Sequence, residues 1–148
     1  MITRRSFLGA FAATALAGNK AFATPAAVFA EDGYAIHGID PVSYFRNDAP
    51  IAGRDAYRLM WRKAIWRFEN ATNMAAFEAA PRAFAPRYGG YCAMSLINGQ
   101  WSPSDPDAWT IHQGRLYLTH SVPARDQWRK DPERFIAMAD AHWRAAHW

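Results

Sequence analysis

A chain of 148 residues has room for one domain with its own core and too few residues for two, and its single cysteine excludes an internal disulfide framework. The 17 basic and 13 acidic side chains give a formal net charge of +4, but Arg4, Arg5 and Lys20 all fall in residues 1–23, which hold no acid; the remainder carries 14 against 13. Those remaining arginines are interleaved with acids along the chain and form no basic stripe, which excludes a nucleic-acid binder.

The opening stretch, MITRRSFLGAFAATALAGNKAFATPAA, has a charged head, an apolar run and small residues around a cut site. It reads as a signal peptide over residues 1–23. Thr3-Arg4-Arg5-Ser6-Phe7-Leu8 resembles the twin-arginine export pattern, with Gly9 where a lysine is common. An ordinary secretory signal or a basic tail is the competing reading. The predicted cut follows Ala21-Phe22-Ala23, with Val28-Phe29-Ala30 as the alternative. Neither site offers a cysteine for lipid attachment, and the apolar run from Phe7 to Ala17 is too short to span a bilayer. The expectation is a periplasmic or secreted protein that meets the twin-arginine export machinery and keeps no stable membrane anchor.

Residues 24–34 read as a flexible lead-in, and residues 35–148 as the domain. In AIHGIDPVSYF, Asp40 is placed to cap a helix whose first residue is Pro41, followed by Val42, Tyr44 and Phe45. NDAPIAGRD is a loop by composition. YRLMWRKAIWRF predicts two strands about an Arg62-Lys63 turn, with Ile65 and Arg67 on one face and Trp66 and Phe68 on the other. Asn70 then caps ATNMAAFEAA, where Met74 and Phe77 fall at core spacing; Pro81 ends that helix. SPSDPDA is a second loop. WTIHQGRLYL predicts another hairpin, with Gln113-Gly114 at its turn. SVPARDQW opens a short helix, and Asp131-Pro132 starts the last one, whose inward stripe is Phe135, Ile136, Ala139, Trp143 and Ala146.

Hairpin followed by aromatic-x-x-x-Pro-x-x-Phe occurs twice, at Phe77–Phe84 and at Trp128–Phe135. The predicted fold is therefore α+β: a single small domain of two hairpin–helix units closed by a C-terminal helix. Seven tryptophans, six tyrosines and nine phenylalanines, three of them in the signal, supply the buried area that holds it.

RYGGYCAM, residues 87–94, carries the lone cysteine. Gly89 and Gly90 permit backbone conformations closed to other residues and are expected to leave open space above the chain. Tyr88 and Tyr91 are the candidate walls of a ligand site there, and Cys92 is the candidate nucleophile or ligand. Met94, two residues on, shares its side if the stretch is extended and makes a soft pair for copper. The histidines are scattered; His112, in the second hairpin, is the expected partner of Cys92. The competing account makes Cys92 a small buried hydrophobe, the commonest role of a free cysteine.

GIDPVSYF, WRFENATNMAAFEAAPRAFAPRYGGYCA and GRLYL…W…DPERF…ADAHW together resemble the YHS-domain proteins, and within them the exported, single-domain (seleno)protein-like branch. The likeness runs from about Ala35 to Trp143. Members attached to copper pumps are thought to bind metal through cysteines; the resemblance places Ser43, Glu69 and Asn73 at those cysteine positions, so thiolate binding does not carry over. In the exported branch the position of Cys92 is filled in some members by selenocysteine, which implies a chemically exposed chalcogen. Three functions stay open: a binding or redox module centred on Cys92, with copper or zinc as its soft metal; an interaction module with an inert cysteine; and a thiol-dependent oxidoreductase. The first would have a periplasmic redox or metal partner, and the third requires a resolving thiol from outside the chain, because there is no Cys-x-x-Cys.

Overall fold

The computed structural model describes residues 23–147, so the predicted signal segment lies, except for Ala23, outside the described residues. The architecture is α+β, with helices, small sheets of mixed and antiparallel pairing, and a long C-terminal helix. Among the described residues no helix is long and apolar enough to cross a membrane.

The chain enters through a small hairpin, β1 (Ala30–Glu31) and β2 (Tyr34–Ala35), followed by β3 (Ile39–Asp40), a helical turn α1 (Ser43–Arg46) and β4 (Ile51–Ala52), which pairs with β3. Next comes the first predicted hairpin, β5 (Arg54–Trp61) and β6 (Ala64–Phe68). Its turn residues, Arg62 and Lys63, have φ of +49° and +64°, as the primed two-residue turn demands. A non-glycine residue in that region costs roughly 1 kcal/mol, and the twisted ladder on either side offsets it. The alternation falls as expected: Ala64, Trp66 and Phe68 are buried, while Ile65 and Arg67 lie half-buried on the other face. β2 adds to β6 in parallel, giving a four-stranded sheet in the order β1-β2-β6-β5.

The helix α2 (Ala71–Ala79) is capped by Asn70, whose side-chain oxygen accepts from the Asn73 N–H at 2.8 Å. It buries Phe77 against the Trp66 and Phe68 rings, with centroids 5.0 and 5.2 Å apart. Pro81 then starts a separate short helix, α3 (Pro81–Phe84), and a further helical turn, α4 (Ala93–Leu96), precedes the second hairpin.

That hairpin, β7 (Asp105–His112) and β8 (Arg115–Thr119), is the wall between two cores. Leu116 and Leu118 join Val42, Tyr44, Trp66, Phe68 and Phe77 on one side. Tyr117 points to the other, among Tyr88, Leu96, Trp128 and Phe135. Period two along one strand therefore serves two clusters. Ser121 caps α5 (Val122–Trp128), and Asp131 stands before α6 (Pro132–His147), accepting from the Arg134 N–H at 3.4 Å. Four of the five residues of the predicted stripe of α6 face the second core: Phe135 and Ala139 are buried, with Ile136 and Trp143 packed beside them, while Ala146 lies beyond it.

Two expectations are corrected. Within residues 24–34, the part from Val28 on is not a loose lead-in, because Val28 is 3% exposed within the first core and the Phe29 N–H donates to the Gly89 carbonyl at 2.9 Å. Their composition reads as loop, but the surface that receives them is built sixty residues away. Asp40 does more than cap a helix from Pro41: α1 begins at Ser43, and the fully buried Asp40 carboxylate accepts from the Val42 N–H (2.8 Å), the Glu69 N–H (2.9 Å) and the Asn73 side-chain amide (2.7 Å). It thereby ties α1, the end of β6 and α2 together.

Candidate functional site

The RYGGYCAM stretch turns sharply. Residues Arg87–Gly90 make a tight helical turn in which Tyr88, Gly89 and Gly90 have φ of +58°, +61° and +88°. The space expected above the two glycines is filled. A Cβ on Gly89 would lie 2.1 Å from the Ala27 carbonyl oxygen, and one on Gly90 would lie 2.5 Å from a methyl of Ile36. The double glycine admits the N-terminal segment and gives no access to the thiol. Tyr88 is likewise committed: its hydroxyl donates to Asp140 at 2.9 Å, alongside an Arg87–Asp140 ion pair at 3.0 Å, and so anchors α6. Burial, then the neighbouring Asp140 carboxylate, pushes its phenol well above the ordinary range. Tyr91 is half-buried, edge-on to Trp101 at 5.2 Å and tilted against Phe29 at 5.7 Å.

Cys92 leaves this turn in an extended conformation and caps α4 with its sulfur. Sγ accepts from the Ser95 N–H at 3.3 Å and from the His120 N–H at 3.1 Å. The His120 imidazole completes the set, with Nδ1 3.1 Å from Sγ. The cysteine residue is wholly buried, whereas His120 is exposed just beyond the end of β8. The imidazole is thus the side chain that links the sulfur to water. In the tautomer with Nδ1 unprotonated, the ring nitrogen stands as an acceptor for the thiol hydrogen, while the sulfur takes two backbone N–H donors.

His112, the partner expected from the sequence, is elsewhere engaged: its Nε2 meets Glu133 at 3.0 Å, and its ring stands edge-on to Trp128. Met94 is not on an extended segment with Cys92; it lies within α4, where the alternation of a strand no longer applies, and it packs beside the second core. His120 was the residue that sequence reasoning passed over. Its only signal was its place directly after the last strand residue, where a side chain can leave the core.

The donor set falls short of a zinc site. Among the described residues no group of three or more His, Cys, Asp or Glu side chains is arranged to hold an ion, and one sulfur with one imidazole falls short of the four ligands of a zinc site. Ser43, Glu69 and Asn73, which the resemblance aligns with metal-binding cysteines, all gather at Asp40. There the Ser43 hydroxyl meets the Asp40 and Ala49 carbonyl oxygens, each at 2.8 Å, and Asn73 accepts from Arg46 at 3.0 Å. The polar groups that make these contacts already serve a hydrogen-bonded knot. Comparison with known protein families, with curated proteins and with solved structures finds no match for this chain.

Proposed function

We propose that this chain is an exported YHS-type redox module whose working group is the Cys92–His120 pair. The observation that carries the reading is the imidazole Nδ1 at 3.1 Å from Sγ, together with two backbone N–H groups on the same sulfur. The convergence of all three on Asp40, Ser43 at its backbone carbonyl and the Glu69 N–H and Asn73 amide at its carboxylate, supports the resemblance, since positions that resemble a cysteine cluster are neighbours in space. In this role His120 takes the thiol proton. The sulfur then attacks one sulfur of an external disulfide, a mixed disulfide forms, and the departing thiolate takes the proton back from the imidazole. With one cysteine the chain stops there until a thiol of a periplasmic partner resolves the bond.

The zero exposure of Cys92 favours a second reading, an interaction module in which the sulfur is only the cap of α4. Alkylation of the folded chain by iodoacetamide separates the two. In the redox module Cys92 reacts without unfolding, and His120→Ala slows the reaction about tenfold or more at neutral pH. Labelling only on denaturation, with no difference between the chain and His120→Ala, would overturn the proposal and leave the cap.

A further inference from the structure

Beside the Arg87–Gly89 turn, whose residues form part of its lining, the β5–β6 turn, the start of β8, and the ends of α3 and α6 border a cavity of about 440 Å³. Four arginines line it, Arg62, Arg82, Arg87 and Arg115, and no Asp or Glu does. Only Arg87 has an acidic partner within ion-pair distance among the described residues, Asp140. Arg62 lies over the Trp61 ring at 4.8 Å, which holds its guanidinium at the rim. Trp143 and His147 form an aromatic wall, with rings 4.2 Å apart. Two nitrogens of lining residues, Arg87 Nε and His147 Nε2, are buried without a hydrogen-bond partner. Neither of those two atoms reaches the open cleft, so the donors available to a ligand there are the guanidinium groups of Arg62, Arg82 and Arg115, which have no acidic partner among the described residues.

We infer that this cleft binds a small organic oxyanion, with its phosphate or carboxylate on Arg62, Arg82 and Arg115 and its planar body against Trp61 and Trp143. Guanidinium groups match such oxyanions through paired N–H donors, and an aromatic wall beside them selects a flat apolar body over a bare ion. The positive field of the cleft is felt by its own histidine: burial, then the charge of Arg62, holds His147 below its usual range. None of the lining residues belongs to the Cys92–His120 pair, so the site stands or falls apart from the thiol.

The test titrates the full chain with phenyl phosphate and with benzoate, read by tryptophan fluorescence and by calorimetry. Benzyl alcohol serves as the neutral control, inorganic phosphate as the anion without a ring. Saturable binding of either aromatic anion, tighter than both controls, is expected. Arg82→Gln and Arg115→Gln should each weaken it about tenfold, the size of a lost charged hydrogen bond. Both side chains reach solvent, and an unchanged circular dichroism spectrum verifies folding of each variant. Equal binding by benzyl alcohol, no saturable signal from either anion, or unchanged affinity in the two variants overturns the inference. So does binding of a single-stranded oligonucleotide or of anionic vesicles with neither small anion bound.

Discussion

Gly89 shows how one residue joins remote parts of the chain. Its positive φ is open to other residues at a cost of about 1–3 kcal/mol, but the Ala27 carbonyl 2.1 Å from a would-be Cβ is closed to all of them. Gly89→Ala must therefore push away the segment around Val28 or distort the turn that leads to Cys92. The expected loss is about 2 kcal/mol or more, read as a lower denaturant midpoint. An unchanged midpoint would mean that the N-terminal segment does not rest on this turn. Cys92 makes the complementary point. A sulfur in a helix-capping position accepts the N–H that a serine or aspartate usually takes. The second N–H and the imidazole, both from His120, are what a cap alone does not require.

Among the elements, β1 with the residues before it sets how far the chain can be shortened from this side without loss of stability. Val28 contributes to the first core, Phe29 is hydrogen-bonded to Gly89, and Ala30 pairs with Ala35. A chain starting at Thr24 keeps all three, and one starting at Glu31 loses them. Burial of a valine side chain is worth about 1.5–3 kcal/mol. The shorter chain should thus unfold at least about 2 kcal/mol more easily in a urea titration. Equal stability of the two would mean that residues 24–30 add nothing to the fold. The β7–β8 hairpin has a different part, since α5 and α6 pack on one of its faces and the first core on the other. Its register places His120 beside Cys92, so any slip by one residue would remove the imidazole from the sulfur.

For the molecule as a whole, buried phenols set the limit at high pH. Burial first, then acidic neighbours, raises Tyr44 and Tyr88 above the ordinary tyrosine value of 10.0. The unfolded chain consequently releases those protons before the folded one does. Their contribution to stability is complete below about pH 10 and is lost as pH rises beyond it. Phenolate absorbance followed with circular dichroism should show at least two tyrosines ionising together with the loss of native structure. Ionisation of every tyrosine while the native spectrum persists would contradict the burial described here.

Much of this protein is written locally. The turn between Trp61 and Ala64, the Asn70 cap, the alternation of Trp66 and Phe68 with Ile65 and Arg67, and the stripe of α6 each follow from residues within a few positions of one another, and each stands where the sequence put it. Those features depend on periodicity and capping, which act over one turn or one strand. The functional neighbourhood does not. Cys92 meets His120 across 28 residues, and His112, which lies on the same hairpin, turns to Glu133 instead. Arginines that alternate with acids along the chain come together in one cleft. Those meetings arise when the two hairpin–helix units close on each other. Which side chains then face one another is decided by packing, because spacing along the chain carries no record of distance across it.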